Sequence, residues 1–359
     1  MPYTFPLGPY HPALEEPFKV NVRCSGEVIE SATVEVGFSF RGIELLAQKR
    51  NWVEVITLIE RVCGICSNTH AMTFCMAAER IAGIAAPPRA VHIRTVIAEL
   101  ERLHSHLLWA GIGAEDIGFH SLFMEIFTLR ERVMDTLEAI SGNRVNYGMN
   151  RIGGVHRDIP DPAAHGPALD ALERGLAEVV VPAFTANPTA LARTRGVGRL
   201  SREEAVRRGV VGPVARASGL DMDVRKDHPY LAYADLGFRS VTRTAGDVLA
   251  RVEVRAAEML ESVRLVRAAL AGLPPGPLAA VEGVPVIPPG EATVRTEAPR
   301  GEAFYYVESD GGPTPARVKI RTPSFVNIPA IEPMVIGQPL ADLSIIQASV
   351  DPCISCTDR

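Results

Sequence analysis

Between residues 18 and 36 apolar and polar positions alternate. Phe18, Val20, Val22 and Cys24 are followed by a Ser25-Gly26 turn signal, then Val28, Ala32, Val34 and Val36. A two-residue period broken by a turn predicts a β-hairpin or small antiparallel sheet. The Pro-rich residues 1–17 ahead of it read as an irregular arm. From residue 51 the period changes to three and four. Asn51 is placed to cap a helix over 52–61, and a second helix is expected from Asn68 or Thr69 to about Ala82. Pro87-Pro88 opens a longer one, with Ile93, Val96, Ile97, Leu100, Leu103 and Leu107 on one stripe. Phe119, Leu122, Phe123, Ile126, Leu129, Val133, Leu137 and Ile140 repeat the pattern, and Val248, Val252, Met259, Val263, Val266 and Leu270 give a third long helix. Shorter helices fit 167–181 and 201–207. Pro/Gly punctuation at 274–277 and 288–290 precedes strand-like runs at 303–307 and 316–320, with Gly311-Gly312 between them.

These elements predict an α+β fold: an N-terminal antiparallel β-sheet, a central bundle of long helices, and a C-terminal tail returning to a buried metal site. One domain is expected over 1–359, with a β region at 1–50, a helical core at 51–272 and an α/β region at 273–359. A hydrophobic fraction of 47% and a charged fraction of 22% are ordinary for a soluble protein. The net charge of −5 does not favour a nucleic-acid partner. No apolar run is long enough to span a bilayer and no signal-peptide pattern opens the chain, so a cytoplasmic protein, at most peripheral to a membrane, is expected. Neither a dinucleotide fingerprint nor a phosphate-binding loop is present.

Four of the six cysteines form two Cys-x-x-Cys pairs, Cys63/Cys66 and Cys353/Cys356, with almost the whole chain between them. In a reducing compartment this spacing favours metal over disulfides. Four thiolates suit zinc, nickel or an iron–sulfur cluster, and spacing does not choose among them. A structural zinc staples a small module poor in core, which this chain is not. The second pair lies where a chain end would fray, so metal binding requires the tail to be pinned inside. Cys24 and Cys75 are expected to be core residues.

The surrounding residues narrow the choice. Arg61-x-Cys63-x-x-Cys66-x-x-x-His70 and Asp351-Pro352-Cys353-x-x-Cys356-x-x-Arg359 resemble the large subunit of a [NiFe] hydrogenase. The resemblance is to the energy-converting, membrane-associated group, related to the 49-kDa subunit of respiratory complex I. It runs through Gly8-Pro9-Tyr10-His11-Pro12-Ala13, Glu101-Arg102-Leu103, Ser105-His106-Leu107-Leu108, Arg130-Glu131, Gly153-Gly154-Val155, Asp158, Gly212-Pro213, Arg216-Ala217-Ser218-Gly219, Asp223 and Arg225. It implies reversible H2 formation and cleavage at nickel and an iron carrying CO and two cyanides. Cys63 and Cys353 would be terminal nickel ligands, Cys66 and Cys356 would bridge to iron, and Cys353 would accept the proton.

By the same resemblance, Arg41-Gly42-Ile43-Glu44 carries a proton-gate glutamate, a role that needs Glu44 to have its pKa raised by burial. Glu297-Ala298-Pro299-Arg300-Gly301 would place Pro299 and Arg300 over the metals, and Ser324 would donate to a cyanide. Arg61 and His70 would order the cysteine sulfurs. His104, His106, His120, Asp116 and Glu131 read as structural or proton-path residues. Arg359 stands where many uptake hydrogenases carry a histidine that helps bind magnesium, so that ion is not expected. No Fe–S cluster can be built in this chain. A small subunit with a [4Fe–4S] cluster is therefore expected on an apolar face near Cys63, Cys66 and His70. Membrane ion-translocating subunits, with ferredoxin or CO dehydrogenase as electron source, complete the expected assembly at the cytoplasmic face. The rival readings are a quinone subunit of the complex I type and a four-cysteine zinc protein. Glu15 stands where the quinone subunit has a histidine, and the cysteines are present, both of which weigh against quinone chemistry.

Overall fold

The computed structural model describes residues 2–12, 14 and 16–359. Ala13 of the opening motif and Glu15 lie outside the described residues. The N-terminal sheet has three antiparallel strands in the order β1 (Pro2–Leu7), β2 (Lys19–Ser25) and β3 (Val28–Glu35). The hairpin is as expected, but residues 2–7 are a strand and not an irregular arm, with Leu7 opposite Val20. Pro2 and Pro6 disguise the alternation of Tyr3, Phe5 and Leu7. They are tolerated because β1 is an edge strand, where a missing N–H breaks no inner ladder. A short helix, α1 (Ile43–Ala47), already falls within the first fifty residues.

Helix α2 (Trp52–Glu60) starts with a full capping box: Asn51 accepts from Val53 N and Glu54 N, and Glu54 reaches back to Asn51 N. Such a cap contributes about 1 kcal/mol and fixes where the helix begins, hence where Cys63 falls after its end. Helix α3 (Ser67–Ala82) follows at once. The bundle consists of α4 (Pro88–Asp116), α5 (His120–Ser141) and α6 (Val248–Ala271), with α4 packed on both others. Its apolar stripe is buried as expected. The opposite face is buried too, and carries Arg94, Glu99, Glu101, Arg102, His104 and His106.

These buried charges are paired. Arg216 meets Glu258 at 2.8 Å, Asp223 at 3.1 Å and Glu297 at 2.7 Å. Arg225 meets Asp223 at 2.8 Å and Glu99 at 3.2 Å. The network ties α4, α6 and the C-terminal sheet into one body. Removing one member would leave a buried charge uncompensated. Between α5 and α6 the chain forms shorter helices, including one helical run from Gly166 to Thr185 with a π segment at Leu176–Val180.

The C-terminal sheet has the order β4 (Gly290–Ala298), β5 (Gly301–Ser309) and β6 (Arg317–Arg321). The sequence pattern does not predict strand β4. Its exposed positions are polar and its start abuts Pro288-Pro289, so its inward Ala292, Val294 and Thr296 give little signal. The chain then turns through α7 (Pro323–Asn327) and α8 (Leu343–Val350) to a last short helix, α9 (Ile354–Asp358). Among the described residues no helix is long and apolar enough to cross a membrane.

Candidate metal centre

The first cysteine pair occupies the link between α2 and α3, with Cys66 as the N-cap of α3. The second lies on the tail, with Cys353 as the N-cap of α9. All four side chains are buried and none is in a disulfide. The sulfurs of Cys63, Cys66 and Cys356 lie within 4.8 Å of one another. Cys353 Sγ is 3.5 Å from Cys63 Sγ, and Cys66 Sγ is 3.3 Å from Cys356 Sγ. Hydrogen bonds from neighbouring thiols hold Cys63 well below the usual thiol range. With one thiolate present and water excluded, the other three are pushed well up. Four sulfurs that cannot all ionise unaided make a site that a cation completes.

The tail is pinned from several sides. Arg41 donates to the carbonyls of Arg61 (3.0 Å), Val62 (2.8 Å) and Ser355 (2.6 Å), and so bridges the two motifs. Asp358 accepts from Gly37 N and Ser39 N, each at 2.8 Å. Thr322 Oγ1 donates to Cys356 O at 3.1 Å. Ser324 Oγ accepts the Cys353 amide at 3.0 Å, so its own proton can serve a bound acceptor.

Pro299 and Arg300 form the two-residue turn between β4 and β5, where Ala298 pairs with Gly301. The turn packs so tightly on Gly212 (φ +67°) that a Cβ there would lie 2.4 Å from Arg300 O, which only glycine avoids. Arg300 Nε donates to Asp351 O at 2.9 Å and Nη2 meets Asp351 Oδ1 at 2.6 Å. Nη1 is buried with no partner among the described residues. Asp351 and the nearby cysteines hold the guanidinium firmly charged. His70 Nδ1 lies 2.6 Å from Tyr305 OH and Nε2 lies 3.4 Å from Cys356 Sγ. Burial keeps the ring neutral, with a pKa of about 4. In the Nε2–H tautomer, Nδ1 accepts from Tyr305 OH and Nε2–H donates to the sulfur.

Two expectations fail here. Arg61 does not order a sulfur: it ends α2, and its exposed guanidinium returns to Thr57 O at 2.9 Å. Arg41 does the bridging instead. Glu44 is not raised. Despite partial burial, Lys319, the Ile320 amide and Arg359 hold its carboxyl below the usual range. The exposed apolar side chains of Val36, Phe40, Leu45 and Phe325 line a cleft of about 510 Å³ together with Thr357, Asp358 and Arg359.

Glu16 meets the condition that Glu44 misses. Its Oε2 accepts from Ser355 N at 2.9 Å and from Ile354 N, and burial pushes its carboxyl up. No sequence signal marks it, since it sits in the arm beside Pro17. Of the helix residues, His106 Nε2 meets Glu258 Oε2 at 3.1 Å, and burial raises Asp116 to about 6. His120 and Glu131 make surface ion pairs with Glu115 and Arg144.

Comparisons with known proteins agree with this geometry. The family described as "Respiratory-chain NADH dehydrogenase, 49 Kd subunit" matches residues 116–285 and 279–359, and "Nickel-dependent hydrogenase" matches 41–110. The "Carbon monoxide-induced hydrogenase" of Rhodospirillum rubrum is 44% identical over 99% of both chains. The "Membrane-bound hydrogenase subunit alpha" of Pyrococcus furiosus is 41% identical over 99% of this chain and 87% of that one. The chain belongs to the family of hydrogenase large subunits and complex I 49-kDa subunits.

Members of this family are named for several reactions. An NADH-quinone oxidoreductase subunit of Deinococcus radiodurans is 35% identical over 98% of this chain and 95% of that one. A solved chain of the membrane-bound sulfane sulfur reductase, an archaeal respiratory membrane complex, superposes with a TM-score of 0.94 at 33% identity. It covers 99% of this chain and 98% of that one. The site must therefore distinguish the reactions. Its four soft donors, with an unpaired arginine donor beside them, fit a thiolate-held metal group that also carries small acceptor ligands.

Proposed function

We propose that this chain is the catalytic subunit of an energy-converting [NiFe] hydrogenase, interconverting protons, electrons and H2. The observation that carries the reading is the meeting of four thiols, from opposite ends of the chain, beside Arg300 and its unpartnered Nη1. When bound, a Ni–Fe group with CO and cyanide ligands supplies the redox-active position for H2 chemistry. Cys63 and Cys353 would hold nickel, and Cys66 and Cys356 would hold both metals. Arg300 Nη1 and Ser324 Oγ–H would donate to acceptors on the iron, and His70 Nε2–H steadies the Cys356 sulfur. The Cys353 thiolate takes up a proton. Glu16, raised by burial and held against the following residues, passes it on. Glu44 serves as an anchor for Arg359.

Electrons must enter from a partner, by resemblance a small subunit with a [4Fe–4S] cluster. The relatives' names favour assembly with membrane subunits, and the resemblance favours ion translocation at the cytoplasmic face with ferredoxin or CO dehydrogenase as electron source. Elemental analysis and an infrared spectrum of the purified complex test the reading. Stoichiometric nickel, iron in excess of it because the partner's cluster adds its own, and bands of bound CO and cyanide are expected. Zinc in place of nickel, or no stoichiometric nickel, with those bands absent, would overturn it in favour of the structural or the quinone reading.

A further inference from the structure

Beneath the start of α3 lies a group of buried polar side chains that the site described above does not use. Glu101, on α4 and fully buried, accepts from Asn68 N (2.6 Å), Thr69 N (3.0 Å) and Thr69 Oγ1 (2.5 Å). Asn68 Oδ1 accepts from Asn150 Nδ2 at 2.7 Å. Asn68 Nδ2 and Asn150 Oδ1 of this pair, Asn146 Oδ1 and Tyr147 OH on the loop after α5, and His104 Nε2 one turn beyond Glu101 on α4 are all buried without a hydrogen-bond partner among the described residues. Arg130 Nε donates to His104 Nδ1 at 3.1 Å, so His104 Nε2 carries a hydrogen and is a donor. The unpartnered set therefore mixes donors (Asn68, His104) with acceptors (Asn146, Asn150) and a hydroxyl that is both. The donors would repel a cation and the acceptors an anion. Water satisfies both kinds, and buried water makes about three such bonds.

The group has a direction. At one end, the Glu101 carboxyl is held by the amides of Asn68 and Thr69, two and three residues beyond Cys66. In the middle, Ser67 Oγ donates to Val145 O at 2.7 Å and ties the loop that carries Tyr147 to the start of α3. At the other end, buried Glu60 on α2 accepts from Gly148 N at 2.8 Å, and Gly148 is exposed. We propose that Glu101, Tyr147 and Glu60 line a water-filled proton passage from the first cysteine pair to the surface loop at Gly148, separate from the Glu16 side of the site.

In the H2-oxidising direction a proton released by H2 cleavage moves through water to the Glu101 carboxylate, which becomes a carboxylic acid. The acid then returns the proton to water. Tyr147 accepts one proton on its oxygen as it releases its own, so one proton moves and no electrons do. Burial supports these roles. It lifts Glu101 to about 8, so that group can hold a proton near neutral pH, and it raises Glu60. It keeps Tyr147 and His104 neutral. Glu101 also caps α3, whose N-cap Cys66 offers no side-chain bond. Capping needs only an acceptor, which glutamine retains, and does not explain the five unpartnered atoms.

The passage rests on the hydrogenase reading, and the test separates the two. In the complete complex, Glu101→Gln should keep the CO and cyanide infrared bands of the wild type. Added to Glu16→Gln, which closes the other side, it should lower the remaining HD formation from D2 in H2O at least about tenfold, and Tyr147→Phe in the same background should lower it in the same direction. Remaining exchange that neither change lowers would overturn the passage. If Glu101→Gln does not assemble, Tyr147→Phe decides, since it removes one hydroxyl that has no partner among the described residues. Absence of CO and cyanide bands from the wild type would instead refute the hydrogenase reading. The passage is then judged from a water-resolving crystal structure: waters bridging Asn68 Nδ2, Tyr147 OH and Asn150 Oδ1 support it, and a dry, closed pocket overturns it whatever the metals are.

Discussion

Arg300 and Asp351 form a closed double contact beside the four sulfurs, with Nη2–Oδ1 at 2.6 Å and Nε–O at 2.9 Å. Asp351 ends α8 in the left-handed region, at φ +61°, which few non-glycine residues occupy. The pair holds that turn, and the turn sends Pro352-Cys353 back toward Cys63. Arg300→Met should therefore destabilise the subunit by about 3–5 kcal/mol, the usual cost of leaving one member of a buried pair alone. Thermal unfolding against wild type checks this. Arg300→Lys keeps the charge but not the fork, and should shift the cyanide bands while retaining the metals. Unchanged bands would show that Arg300 does not face the bound ligands.

Glu16 and Glu44 should respond differently to the same isosteric change. Glu16→Gln should lower H/D exchange by about a hundredfold with nickel and iron retained. Glu44→Gln should leave exchange near wild type and cost no more than about 1 kcal/mol of stability, because its ion pairs are partly solvated. The reverse pattern would return the proton role to Glu44.

The stability that His106 and His104 contribute should fall as pH drops from about 6.5 toward 4. Burial lowers His106 to about 4 and His104 to about 3, so at these positions the unfolded chain binds protons in this window that the folded one refuses. Their contribution rises with pH across the window and levels off above the unfolded value. Glu101, lifted to about 8, acts in the opposite sense, because the folded chain holds a proton there that the unfolded one releases. His106 alone accounts for about 3 kcal/mol. Denaturant melts of the assembled wild type and of His106→Gln at pH 7, 6 and 5 should show the wild type losing ground to the variant as pH falls, and a difference independent of pH would mean that the folded helices admit the charge.

The isolated chain, loaded with nickel and iron, should show no sustained H2-dependent viologen reduction, and adding its cluster-bearing partner should restore it. Cys24 and Cys75 are buried apart from the four-sulfur site and cannot wire electrons outward. Full activity without the partner would mean that dye reaches the buried metals directly.

The sequence alone determined the helical bundle, the first hairpin and the four cysteines that meet at the candidate site. Apolar stripes along α4, α5 and α6 are local and dense, and Cys-x-x-Cys is a spacing that chemistry reads directly. Asn51 and Glu54 announced the start of α2 because a capping box is a four-residue event. What only the tertiary structure decided was the environment of the charges. Arg61 and Arg41 look alike in sequence, yet one guanidinium turns to solvent and the other joins the two motifs. Glu44 sits in a segment that resembles a proton gate, and Glu16 carries no sequence signal. Lys319 and Arg359 hold one ionised, while burial against the Ile354-Ser355 turn raises the other. A side chain's pKa and partner depend on atoms hundreds of residues away, and no local pattern carries that information. Bringing residue 16 or residue 101 to the cysteines is an act of folding.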